Sequence, residues 1–187
     1  AWIDEPFEHS AAGDIEGVRA QAATAFDHFG LLQLRLRPTL FWVRGSSAVQ
    51  VPYLNHPPWT HLLVQASWRA LDRDEKALRL PMFLLLAAGA IGVFRLVRVT
   101  ATPDAAWTAT TVFATLPAIV HYGGVVDALF VTTALLPWVM VAWLGRRAAS
   151  TRRTERSFWI AAFLIALVDW YGLLLAPILM TDVLLTH

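Results

Sequence analysis

The chain opens on AWIDEPFEHS, with Asp4 and Glu5 side by side and Glu8 and His9 close behind. A carboxylate at an apolar boundary loses hydration, and a second carboxylate beside it disfavours its charge further. Both effects raise its pKa toward the range of a general base. A solvated acidic segment accounts for the same residues without any chemistry. Downstream, YLNHPPWTHLL (53–63) sets His56 directly before Pro57 and Pro58. The two prolines hold an extended backbone, and Pro58 can open a helix at its first turn. His56 is then held at one point on the surface, as a substrate or phosphate contact or simply as part of a helix-start loop. His56 and His61 make a poor metal pair across those prolines, and zinc sites usually bring more ligands. No metal site is assigned from these residues.

Two aspartates fall in or beside apolar runs. In HYGGVVDALF (121–130), Asp127 stands in the first turn of an expected helix, where the helix dipole favours an anion. Tyr122 precedes it, and Gly123 and Gly124 permit a tight turn or a close backbone approach. Ion pairing and catalysis are both open to Asp127. Asp169, in LVDWYGLLLAP, lies roughly 18 Å into its apolar run at 1.5 Å per residue. A carboxylate at that depth costs about 2.5–3.5 kcal/mol, so it must face a partner, be neutral or line the bundle interior. Packing and function both remain open to it. LRLRPTLFWVRG (34–45) adds Arg35, Arg37 and Arg44, which suit phosphate or lipid headgroups.

These residues need elements to hold them. The chain of 187 residues is 57% hydrophobic and only 16% charged, with a mean hydropathy of +0.51 and nine tryptophans. Soluble domains carry about 25% charge, and Trp concentrates at membrane interfaces. The expected class is an all-α integral membrane protein with about four transmembrane helices. Before them lies an N-terminal extracytoplasmic loop region with amphipathic surface helices. Residues 1–79 form that loop region and 80–187 the bundle, with spans at 80–99, 103–122, 124–144 and 157–181. Within the loop region, Asp14–Gly30 reads as a helix with Gly30 as its C-cap. PWTHLLVQASWRALDR reads as a membrane-surface helix, with Leu62, Leu63, Ala66, Ala70 and Leu71 on its apolar face.

Arg95 and Arg98 stand near the end of the first span, five arginines between 146 and 156 follow the third, and HYGG carries no cation. The positive-inside rule places the Arg-rich connections in the cytoplasm of a bacterial-type inner membrane, and residues 1–79 and HYGG outside. An outer N-terminal region without a signal peptide implies one more helix before Ala1. A net charge of +1 argues against nucleic acid as a partner. The absence of cysteine excludes disulfides and thiol chemistry.

The order of these segments resembles the GT-C superfamily of membrane glycosyltransferases, in its protein O-mannosyltransferase and aminoarabinose-transferase-like branch. Asp4 and Glu5 match the acidic pair opening that family's first outer loop, whose Asp is the proposed base. His56, Pro57 and Pro58 match a late-loop element near the donor phosphate, and ALRLP (77–81) its lead-in to the next helix. Tyr122 and Asp127 match the start of a later span, where Gly123 and Gly124 replace arginines common in the family. The resemblance covers the N-terminal half of such an enzyme. It implies a polyprenyl-phosphate sugar as donor, catalysis by Asp4 and Glu5, and substrate contacts at His56, Pro57, Tyr122, Asp127, Arg35 and Arg37. It allows a divalent metal at the leaving phosphate. Two other readings stand beside it. One is a non-catalytic membrane subunit derived from this fold and packed on a larger complex, for example a bioenergetic one. The other is a small transporter subunit that uses Asp127 and Asp169 as a cation path.

Overall fold

The computed structural model describes residues 11–44, 47–53, 57–71 and 74–186. Asp4, Glu5 and His56 lie outside the described residues. The described chain is mostly helical and divides into two compact units, one within residues 1–83 and 124–127, the other within 84–123 and 128–187.

The first unit is built on α1 (Ala11–Phe29) and α2 (Trp59–Ala70). Arg19, Ala22, Ala23 and Phe26 recur at helical spacing and are all buried, so they form the core stripe of α1. The small alanines let α2 approach closely. Gly30 closes α1 at φ +87°, its N–H bonding the Phe26 carbonyl at 3.0 Å, the left-handed cap that glycine adopts without strain. A turn over 31–36 follows, and then an antiparallel hairpin of β1 (Thr39–Arg44) and β2 (Ser47–Pro52), with Thr39 opposite Pro52. This hairpin corrects the expectation of helices and loops alone in the region. TLFWVR and SAVQVP are rich in β-branched and aromatic residues, and Gly45-Ser46 between them is a hairpin signal that a reading for arginines passes over.

α2 turns its polar face toward the rest of the unit. Its buried residues are Thr60, His61, Val64 and Gln65, opposite the apolar face that the sequence offered. Ala66, Ala70 and Leu71 are exposed. Hydrogen bonding decides the inward face: Gln65 donates to the Asp27 Oδ1 at 2.9 Å, and the Arg69 Nε reaches the same oxygen at 3.0 Å.

The long helix α3 (Glu75–Thr100) starts in the first unit and continues into the second. Asp74 caps it, accepting from the Ala77 N–H at 2.7 Å. In the second unit come α4 (Pro103–Thr115), α5 (Pro117–Tyr122), α6 (Ala128–Ala148), α7 (Arg152–Val168) and α8 (Trp170–Thr186). Among the described residues, two helices are long and apolar enough to cross a membrane: Lys76–Thr100 and Ala128–Ala148, of mean hydropathy 2.1 and 1.8.

The other two expected spans are interrupted. The run at 103–122 breaks at Leu116, which is extended (φ −54°, ψ 131°) because Pro117 follows it. The run at 157–181 is two helices, not one. Asp169 is extended (φ −156°, ψ 162°), and α8 packs back along α7. Phe158 near the start of α7 shares a core with Leu179 near the end of α8, joined by Val139, Ala162 and Ile165. The Trp143 Nε1 donates to the Asp182 Oδ2 at 2.7 Å, bringing the end of α8 back to the end of α6. Gly172 makes the hairpin possible, since any Cβ there would overlap the Ile165 carbonyl.

Candidate functional site

The stripe of α1 puts a cation where a hydrophobic residue belongs. Arg19 is 1% exposed. Its Nη1 lies 3.0 Å from the His61 Nε2, contributed by the first turn of α2, and its Nη2 lies 4.0 Å from the Asp127 Oδ2. Its guanidinium carbon stands 5.3 Å from the centroid of the Tyr53 ring, and the Tyr53 and His61 rings meet edge-on at 5.6 Å. A guanidinium only donates, so the His61 Nε2 accepts, and the neutral ring carries its proton on Nδ1.

Three segments distant in sequence position this group. Pro58 caps α2, its carbonyl accepting from the Leu62 N–H at 3.0 Å, which fixes where Thr60 and His61 turn inward. Asp127 immediately precedes α6, and its N–H bonds the Val125 carbonyl at 2.8 Å. Gly124 lets that segment sit against Phe83, whose ring is 2.9 Å from where a Cβ would stand.

Here the buried Arg19 Nε and Thr60 Oγ1 have no hydrogen-bond partner among the described residues. Buried donors are usually satisfied, so an unused one on a fixed guanidinium marks a place for an acceptor. The arrangement offers a water-shielded positive charge with a donor to spare, held by one carboxylate and one imidazole.

Asp127 belongs to this group, and Pro57 sits half-buried just before α2. Tyr122 ends α5. Arg35 and Arg37 line an open cleft of about 250 Å³ with Gln33, Leu34, Thr39 and Pro52. Asp169 is 1% exposed in the second unit, where its Oδ1 accepts from the Trp170 N–H at 2.7 Å at the start of α8. It therefore sits at a helix junction, not within a continuous span. Sequence reasoning missed Arg19, Tyr53 and the inward role of His61. The available signal was an arginine in register with Ala22 and Phe26.

Among the described residues, no group of three or more His, Cys, Asp or Glu side chains converges on a metal position. Compared with known families, curated proteins and solved structures, the chain shows no match to any of them.

Proposed function

We propose that the chain is a GT-C-type membrane glycosyltransferase, or the N-terminal part of one, that transfers a sugar from a polyprenyl-phosphate donor to an acceptor hydroxyl at the outer membrane face. One observation carries this reading. His61 of α2, the helix that Pro58 caps, and Asp127 of the segment HYGGVVD meet at the buried cation Arg19. The sequence resemblance implies substrate contacts in both segments, and the orientation rule puts both on the outer side.

On this reading α3 and α6 cross an inner membrane, with 103–122 and the α7–α8 pair also in the bilayer and the arginines of 146–156 in the cytoplasm. Asp4, with Glu5 beside it, takes the proton of the acceptor hydroxyl. The acceptor oxygen forms its bond to the anomeric carbon as the bond from that carbon to the phosphate oxygen breaks. The electron pair leaves on the polyprenyl phosphate. Arg19 meets the charge that develops there with its unused Nε donor, while Asp127 and His61 hold the guanidinium in place. A divalent metal, if one serves the phosphate, would supply further positive charge.

The test uses the full chain in nanodiscs with a short-chain polyprenyl-phosphate sugar and a hydroxyl acceptor. Wild type is expected to release polyprenyl phosphate. Asp4→Asn is expected to bind the donor without releasing it, and Arg19→Gln to bind it at least tenfold more weakly, about 1.4 kcal/mol. No binding and no release by wild type would reject the enzyme in favour of the non-catalytic subunit.

A further inference from the structure

The turn that follows α1, Leu31-Leu-Gln-Leu-Arg-Leu-Arg37, alternates leucine with polar and basic residues and contains no acid. Leu32 is 89% exposed and Leu36 47% exposed, and Gln33, Arg35 and Arg37 are exposed beside them. A chain end or a floppy loop could leave leucines in water by default, but this turn is closed on itself. The Leu34 N–H bonds the Gly30 carbonyl at 3.1 Å, Arg35 that of Leu32 at 3.0 Å, Leu36 that of Leu31 at 2.9 Å, and Arg37 that of Leu34 at 2.9 Å. Thr39 adds its hydroxyl to the Arg37 carbonyl at 3.0 Å.

Arg35 and Leu36 both take the left-handed backbone conformation, φ +52° and +58°. Non-glycine residues enter that region against a steric cost. Here the cost holds two leucines outward and two guanidiniums beside them. Leucine at the tip with arginine at the flank is the combination that enters a headgroup layer, the apolar group reaching the acyl boundary and the cation pairing with lipid phosphate. α2 adds a second, independent sign from the same unit, since its polar face is turned inward and Leu71, at its C-terminal end, is 49% exposed.

We propose that the 31–37 turn is a docking finger that seats the first unit on an anionic bilayer surface, with Leu32 and Leu36 inserted and Arg35 and Arg37 on lipid phosphates. The inference rests on the reading of this chain as a membrane protein, and it adds a lipid contact to the outer region independent of the Arg19 group.

The experiment exploits the absence of cysteine from the chain. Single variants Leu32→Cys, Ile91→Cys and Gln21→Cys are labelled with an environment-sensitive fluorophore in full-length chain. They are reconstituted in nanodiscs of phosphatidylglycerol or phosphatidylcholine carrying a shallow spin-labelled lipid quencher. Ile91 is exposed on α3 and reports membrane insertion itself, and Gln21 is an exposed reference on α1. The expected result is quenching at 91 in both lipids, and quenching at 32 well above that at 21 in phosphatidylglycerol. Phosphatidylcholine, or the pair Arg35→Gln and Arg37→Gln, should weaken the contact at 32, by roughly fivefold in surface affinity per arginine. Quenching at 91 with none above reference at 32 overturns the docking finger alone. Quenching at 32 that ignores lipid charge and both arginines overturns the proposed anionic contact. No quenching at 91 overturns the membrane reading and this inference with it.

Discussion

Arg19 is the residue whose removal tells most. A buried cation deprived of its carboxylate is destabilising by about 3–5 kcal/mol, whereas replacing the whole pair with apolar groups is often neutral. Asp127 keeps 20% exposure, so water can partly replace it, and the lower end of that range applies. Asp127→Asn is therefore expected to lower thermal stability in detergent more than the double variant Arg19→Met with Asp127→Leu does. Simple additivity of the single changes within about 0.5 kcal/mol would mean the two side chains do not interact. His61 carries a sharper prediction, because only its acceptor nitrogen faces the arginine. His61→Gln keeps an acceptor and should fold with a small loss. His61→Leu leaves the Nη1 unpaired and should cost about 1–3 kcal/mol. Equal losses in the two variants would remove the tautomer argument.

At the scale of elements, the α7–α8 hairpin differs most from what a hydropathy reading expects. As one straight helix, Ser157 and Met180 would stand about 35 Å apart at 1.5 Å per residue. Folded back at Asp169, with Phe158 against Leu179, they should lie well under that distance. Spin labels at Ser157 and Met180 measured by pulsed dipolar spectroscopy separate the two cases, and a distance near 35 Å would reject the hairpin. The physical reason for the mistake is general. Apolarity sums along a run and is blind to one extended residue, so α3 and α6 were legible from composition, while the break at Leu116 is marked only by Pro117 and the fold-back at Asp169 is set by the packing of α8 on α7. The Gly30 cap was legible because only the local backbone sets it. The inward face of α2 was not, because Asp27 and Arg19 choose it from another helix. Arg19 itself was half-legible: its register with Ala22 and Phe26 marks a core position, but nothing in the sequence names the residues that face it.

The whole chain makes its membrane argument by charge placement. Moving an arginine to the centre of a bilayer costs about 2.5–3.5 kcal/mol, so a connection with five arginines stays on the side where synthesis leaves it. Arg146 is not even free to move within that connection. It is buried, its Nε 2.8 Å from the Glu155 Oε1 and its guanidinium over Phe158, which ties the end of α6 to the start of α7. The Arg19–Asp127 pair meanwhile joins residues from before α3 and just before α6, so those two segments must occupy one side of any membrane the chain crosses. On the proposed reading, in which α3 crosses, an even number of crossings separates them, and 103–122 would then return through the bilayer despite its break at Leu116. Single cysteines at Gln21 and Ser150 test this with a membrane-impermeant maleimide on spheroplasts. Gln21→Cys should label in intact cells, and Ser150→Cys only after permeabilisation. The reverse pattern would invert the orientation while keeping the crossings. Labelling of both from outside would mean that α6 does not cross, and the apolar surface of the second unit would then have to be covered by protein instead of lipid.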